Sequence, residues 1–185
     1  EGEEFVVVAQ DGSGDFTSIR DAVDSVSGST IVVESGTYDT AAELGPFGSN
    51  VGLQIGSQDA GTDPASAPLK GLRLVGRGRP TIDGWVQILD PGVTFEGFEV
   101  TGEVFGYGLA AFEPNVTIRD VTVSGVTNGL FVPSASNVVV EDCTVENYSF
   151  YGAVVSGRDE FGGATPTIRD TTVDGASGGG AVGVG

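Results

Sequence analysis

Three aspartates stand at the same place in a pattern that the chain repeats. Asp120, Asp142 and Asp170 each end a short run of the type Thr-Ile-Arg or Val-Val-Glu. Stacked on successive turns at roughly 5 Å, their carboxylates would repel one another unless salt screens them or a cation bridges them. We expect these side chains to face solvent. A bound cation such as Ca²⁺ is the alternative, and no other cofactor is predicted.

Five aromatic residues fall in connections just before glycine-led strands, so they are expected to lie on one side of the molecule. They are Phe105, Tyr107, Tyr148, Phe150 and Tyr151. Aromatic rings offer a flat apolar face to a sugar ring, and the carboxylates of Glu103 and Glu146 are near in sequence. The pattern favours a polysaccharide contact, although rings that merely cover an edge would look the same.

Nucleophilic catalysis lacks its usual parts in this chain. There is no histidine to activate Cys143, and this single cysteine also excludes an intramolecular disulfide. Cys143 aligns with Phe98 and Val121 in the repeat, which predicts a small core residue. Arg77 and Arg79 form a clustered basic pair and are predicted to make surface salt bridges at a turn.

The charge balance excludes several classes of partner. The formal net charge is −18, with 26 acidic against 8 basic residues, whereas a nucleic-acid binder needs a basic face. No apolar stretch approaches the length of a transmembrane helix, so membrane insertion is not predicted. Acidic excess with 39% hydrophobic residues is unlike a disordered chain. With Lys70 as the single lysine, it is typical of a protein from a high-salt organism, and a mildly acidic secreted protein is the alternative.

The predicted location is extracellular or at the cell surface, and the chain contains two N-glycosylation sequons, a number that can also arise by chance. They are Asn115-Val-Thr117 and Asn147-Tyr-Ser149. Their asparagines would carry glycans if the protein is exported.

One short pattern of alternating apolar residues recurs and must position all these side chains. Val93-Thr-Phe95-Glu-Gly-Phe98 aligns with Val116-Thr-Ile118-Arg-Asp-Val121 and with Val138-Val-Val140-Glu-Asp-Cys143. Each copy is followed by a glycine-led apolar run. Alternation predicts half-buried strands, and a period of roughly 20 to 30 residues predicts units that stack on one another. A leucine-rich repeat has a similar period but needs a Leu-rich, partly helical consensus.

The fold predicted is therefore all-β, a right-handed parallel β-helix of about six coils in a single domain, residues 1–185. Residues 1–28 form an N-terminal strand and an amphipathic capping helix, and residues 29–185 form the coils. The helix places Phe16, Ile19, Ala22, Val23 and Val26 on one face. Asp15 is the predicted N-cap, and Gly28 follows the end of the helix.

The N-terminal region resembles the opening of the pectin methylesterases and their pectate-lyase-like relatives. The matching residues are Val7-Val-Ala-Gln-Asp11-Gly-Ser-Gly-Asp15-Phe-Thr-Ser-Ile-Arg-Asp-Ala-Val and Ile31-Val-Val-Glu-Ser-Gly36-Thr-Tyr38. The resemblance implies a first strand, a capping helix and a first coil. It also implies an enzyme of polysaccharides, but the catalytic motifs of those enzymes are absent after Tyr38.

The two ends of the predicted tube suggest how the protein works. The last strand, with Ala181, Val182 and Val184, is not followed by a sealing helix in this sequence. Either the chain is part of a longer β-helix, or the open strand edge pairs with another molecule. The N-terminal strand, with Phe5, Val6, Val7 and Val8, is a suitable donor. We therefore predict a secreted, non-catalytic structural or adhesive protein of a halophile that self-associates head to tail. The alternatives are a polysaccharide-active enzyme and a carbohydrate-binding module.

Overall fold

The computed structural model of the chain describes residues 5–26, 28–40, 52–56, 71–102, 106–133, 137–155 and 166–175, and the backbone of 183–184. The strands are numbered β1 to β19 in chain order. They form three parallel sheets, and each coil contributes one strand to each sheet.

The first sheet has the order β1-β2-β5-β8-β11-β14-β17. Its strands are β1 Phe5–Val8, β2 Thr30–Val33, β5 Arg73–Gly76, β8 Thr94–Glu96, β11 Thr117–Arg119, β14 Val139–Glu141 and β17 Thr167–Arg169.

The second and third sheets follow the first in every coil. The second consists of β3 Thr37–Asp39, β6 Thr81–Asp83, β9 Glu99–Thr101, β12 Thr122–Ser124, β15 Thr144–Glu146 and β18 Thr172–Asp174. The third consists of β4 Leu53–Ile55, β7 Val86–Ile88, β10 Tyr107–Ala111, β13 Asn128–Val132, β16 Tyr151–Val155 and β19 Gly183–Val184. The described residues thus make six coils, which confirms the predicted all-β parallel β-helix.

In four successive coils, a single left-handed residue turns the chain from the first sheet into the second. Asp120, Asp142 and Asp170 have φ of 49°, 53° and 50° there, and Gly97 has φ of 82° one coil earlier. Aspartate tolerates this conformation better than most side chains do. The shared turn position predicted from the repeat is confirmed. The left-handed backbone conformation explains why aspartate or glycine occupies it.

The core is a stack of inward side chains of like type. Phe95 and Phe98 are both fully buried, and their rings stack with centroids 4.5 Å apart. Cys143 is buried as predicted, and burial raises the pKa of its thiol. Burial of such columns is the main stabilising contribution of each coil.

The helix α1, Ile19–Ser25, closes the N-terminal end of the tube. Its buried residues Ile19, Ala22 and Val23 belong to the core, and it contacts β1, β2 and β4. The predicted N-cap was wrong, because the Ser18 side chain accepts the hydrogen bond from the Asp21 amide. Among the described residues, no helix is long and apolar enough to cross a membrane.

Candidate functional site

A column of alternating charge runs along the outer face of the first sheet. Strand pairing places Glu96, Arg119, Glu141 and Arg169 in register on four successive coils. Adjacent strands of a sheet lie about 4.8 Å apart, so long side chains of neighbouring coils can touch. The column therefore links coils through ion pairs as well as through backbone hydrogen bonds.

Glu141 is the centre of this column. Its carboxylate accepts hydrogen bonds from Arg119 on Oε1 and from Arg169 on Oε2, and its side chain is 6% exposed. The Arg169 hydrogen bond, helped by Arg119 and opposed by burial, lowers the pKa of Glu141 below its ordinary value. A carboxylate held between two guanidinium groups fastens the last described coil to the two before it.

The core column of the first sheet loses its cover at the C-terminal end. Leu74, Phe95, Ile118 and Val140 are at most 1% exposed, but Ile168, next in register, is 42% exposed. Ile168 is the last described residue of this column, and it exposes an apolar side chain there.

Other residues predicted for this end are described less fully. Val184 pairs with Val155 through the backbone of β19. Ala181 and Val182 lie outside the described residues. Their part in self-association stays a prediction.

At the N-terminal end, the outer edge of β1 is already occupied. The Val7 carbonyl accepts hydrogen bonds from the amides of Asp15 (2.8 Å) and Phe16 (3.1 Å). The Val7 amide donates to Asp15 Oδ2 (2.8 Å), and the Ala9 amide donates to the Phe16 carbonyl (2.9 Å). The Val8 carbonyl, on the other edge, accepts from Glu34 of the first coil (2.9 Å).

Phe5, Val6, Val7 and Val8 were predicted to form a free donor strand. This prediction is wrong for Val7, because its outward amide and carbonyl groups are already hydrogen-bonded. The 15–16 segment, which we call the outer rung, lies beyond β1 and takes the hydrogen bonds that a partner would need. Phe5 itself is 58% exposed.

Aromatic rings gather on the outside of the third sheet. Tyr107 and Phe131 stack with ring centroids 4.0 Å apart, and Phe112 meets Phe131 edge-on at 5.9 Å. Phe150 and Tyr151 form a second edge-on pair at 4.3 Å, and they are 56% and 40% exposed. We call these five residues the aromatic face.

Two aromatic residues predicted for this surface are not part of it. Tyr148 is 7% exposed and belongs to the core, where its ring lies over the backbone of Gly152 and Gly175. The predicted glycan contact at Tyr148 is therefore wrong. Phe105 and the neighbouring Glu103 lie outside the described residues.

Amide side chains accompany the aromatic face. Gln54 donates to Gln87 Oε1 across adjacent coils (3.1 Å), and Gln87 is buried. Asn128, in register between Tyr107 and Tyr151, donates to the Gly106 carbonyl (2.7 Å), while its own carbonyl oxygen is buried without a hydrogen bond. Rings interleaved with amides could contact both the faces and the hydroxyl groups of a sugar.

Two carboxylates occupy equivalent positions beyond β7 and β10. Ile88 pairs with Ala111, and Asp90 and Glu113 each follow two residues later. Burial, and then the charge of Asp90, raise the pKa of Glu113. Asp90 itself is 2% exposed. Two carboxylates in different environments can in general divide acid and base roles.

The turn aspartates face solvent, as expected, and the alternative of a cation site gains no support from the described residues. In the described ranges, no group of three or more acidic, histidine or cysteine side chains could hold a metal ion. Asp120, Asp142 and Asp170 are exposed, and Asp120 pairs with Arg79. Arg77 pairs with Glu34 at 2.6 Å, so the surface salt bridges predicted for both arginines are confirmed.

The sequon asparagines Asn115 and Asn147 are both exposed in left-handed turns. The side-chain carbonyl of Asn115 accepts a hydrogen bond from Asn137 of the next coil (3.2 Å). Glycosylation at either residue stays a prediction.

Sequence reasoning missed three residues that shape these surfaces: Phe112, Phe131 and Glu141. Signals for them were present in the repeat. When the copies are aligned, Arg119, Glu141 and Arg169 occupy the same position of the repeat, and their charges alternate in sign. Phe131 lies next to the buried Leu130 in a glycine-led strand, where alternation predicts an outward side chain.

Comparison with known proteins agrees with this architecture. The family described as "right handed beta helix region" matches residues 82–184, which is more than half of the chain. No curated protein matches the chain. The matched span runs from β6 to β19 and contains both the aromatic face and the glutamate-arginine column. The chain belongs to the right-handed parallel β-helix family.

Proposed function

We propose that the protein is a non-catalytic structural or adhesive β-helix, located outside the cell or at the surface of a salt-adapted organism, that associates end to end. The observation that carries the proposal is Ile168, a core-column residue that is 42% exposed at the C-terminal end. Covering such a residue in another molecule removes apolar surface from water. Strand edges at the same end supply backbone groups for pairing.

The charge of the chain makes this association depend on salt. At a formal charge of −18, two copies repel at low ionic strength. Molar salt shortens the screening length to about 3 Å and removes most of that repulsion, while contacts between touching groups remain. Assembly is therefore expected at molar salt and dissociation at low salt.

Sedimentation velocity across a salt series tests the proposal. The wild-type protein is expected to form large species at molar salt, and Ile168→Asp is expected to stay monomeric. Phe150→Asp is the matched control, because it places the same charge on a residue 56% exposed at the side of the tube. A wild-type protein that is monomeric at every salt concentration would contradict the proposal.

The aromatic face favours a second candidate function, carbohydrate binding. Its rings lie outside a sheet whose regular strand spacing fixes their separation, and Asn128 lies in register between Tyr107 and Tyr151. An uncharged glycan fits better than an acidic one, because the protein is itself strongly acidic. Calorimetry with neutral oligosaccharides should show affinity that Tyr107→Ala and Tyr151→Ala abolish and that Phe5→Ala retains. No affinity for any member of the panel would remove this candidate.

A polysaccharide-active enzyme is supported by one observation, the pair formed by Asp90 and Glu113. A glutamate whose pKa is raised beside a second carboxylate is suited to donate a proton to a glycosidic oxygen. Product analysis on a polysaccharide panel tests it. Cleavage products that disappear with Glu113→Gln would support it, and absence of products would count against it.

A further inference from the structure

The outer rung lies in register with the charged column of the first sheet, with three valines between them. A parallel bridge joins Val8 to Phe16, so Asp15 lies in register with Val7. Val7 pairs with Val32, which pairs with Val75, which pairs with Glu96. Asp15 therefore begins the column that ends, among the described residues, at Arg169.

The two ends of this column carry opposite charge. Within it, Glu96, Arg119, Glu141 and Arg169 alternate in sign, so an acidic residue would continue the alternation beyond Arg169. The side chain of Arg169 is 57% exposed although it already pairs with Glu141. Asp15 is exposed, and one of its carboxylate oxygens accepts a hydrogen bond from the Val7 amide.

We propose that a second copy of this chain stacks head to tail on the first, with its outer rung in register beyond β17 and its Asp15 facing Arg169. This inference rests on the proposed end-to-end association and adds its polarity and register. Glutamate and arginine contacts between adjacent coils show that side chains of this column reach across one strand spacing. Stacking of this kind does not close on itself, so it produces filaments.

The contact is centred on the first sheet. Helix α1 lies over the N-terminal end and exposes Asp21 and Asp24, while the C-terminal end exposes Asp170 and Asp174 beside Arg169. The acidic groups on both ends repel unless salt screens them. The pair formed by Asp15 and Arg169 therefore provides specificity. In this register Gly14 lies opposite Ile168, and covering the exposed Ile168 side chain removes apolar surface from water.

Charge reversal with sedimentation at molar salt tests the inference. Asp15→Arg and Arg169→Asp should each weaken association by a factor on the order of 10², because each sets like charges against one another. The two variants mixed, or combined in one chain, should assemble again, because every junction then joins opposite charges. Asp24→Arg reverses a charge at the same end outside the column and should assemble like the wild type. Arg119→Gln removes the other partner of Glu141 and should also leave assembly unchanged.

The outcomes separate this inference from the proposed function. Assembly of Asp15→Arg at wild-type strength would overturn the head-to-tail register but leave end-to-end association standing, because a tail-to-tail contact does not contain Asp15. A wild-type protein that never assembles would overturn both. If Arg169→Asp loses its folded circular-dichroism spectrum, the inference is tested instead by comparing the assembly of Asp15→Glu with that of Asp15→Arg. Glutamate should retain assembly, and arginine should lose it.

Discussion

Asp15 and Arg169 occupy the first and the last described places of one column of the first sheet, with six strands between them in continuous register. The relationship arises because the turn after β1 folds back to add the outer rung beyond that strand. The outer rung thus forms the N-terminal edge of the first sheet and places the negative charge of Asp15 there.

Phe95→Ala should destabilise the fold strongly. The ring is fully buried and stacks on Phe98, so truncation leaves a cavity that neighbouring coils fill poorly. The expected loss is about 3–5 kcal/mol in the free energy of unfolding, measured by urea denaturation. Phe150→Ala, an exposed aromatic residue, is the control and should change stability by about 0.5 kcal/mol or less. Equal effects of the two substitutions would contradict the inward orientation of Phe95.

Acid should loosen the C-terminal coil. The folded-state pKa of Glu141 lies below its ordinary value of 4.5, chiefly through the hydrogen bond from Arg169. The ion pairs therefore stabilise fully above that ordinary value, and their contribution is lost as pH falls through the lowered pKa. Glu141→Gln should be less stable than the wild type at neutral pH. The difference between the two melting temperatures should stay constant above pH 4.5 and shrink as pH falls below that value, and a difference that persists after the wild type has lost its ion pairs in acid would contradict the ion-pair assignment.

Asp142→Gly and Asp142→Ala should differ in stability although both remove the same charge. Residue 142 has φ of 53°, a conformation that glycine adopts freely and alanine does not. We expect the alanine variant to be less stable by about 1 kcal/mol in the free energy of unfolding. Urea denaturation of the two proteins gives this difference directly. An alanine variant as stable as the glycine variant would mean that the left-handed turn is not required there.

The coils could be predicted from sequence because their signal is repeated. Phe95, Ile118 and Val140 align in the sequence copies and stack in register in the structure. The turn aspartates also share one place, but their role was set by the left-handed backbone conformation. A pattern of residue types does not distinguish that role from metal binding.

The site could be predicted less completely, because it depends on which neighbour takes each hydrogen bond. Asp15 was expected to cap the helix, but its carboxylate accepts a hydrogen bond from the Val7 amide. Ser18 is the N-cap instead. Tyr148 was expected at the surface with Tyr151, but the glycine at 152 leaves room for its ring inside. Both outcomes depend on contacts between coils that alternation within one strand does not encode.

Electron cryo-microscopy of the wild-type protein at molar salt tests the central claim most directly. We predict filaments in which strand spacing of about 4.8 Å continues across each junction, with the outer rung of one copy beyond β17 of the next. The axial repeat should be eight strand spacings, about 38 Å, because the outer rung and the seven strands of the first sheet each contribute one spacing. Discrete monomers, or pairs joined tail to tail with both helices α1 outermost, would contradict it.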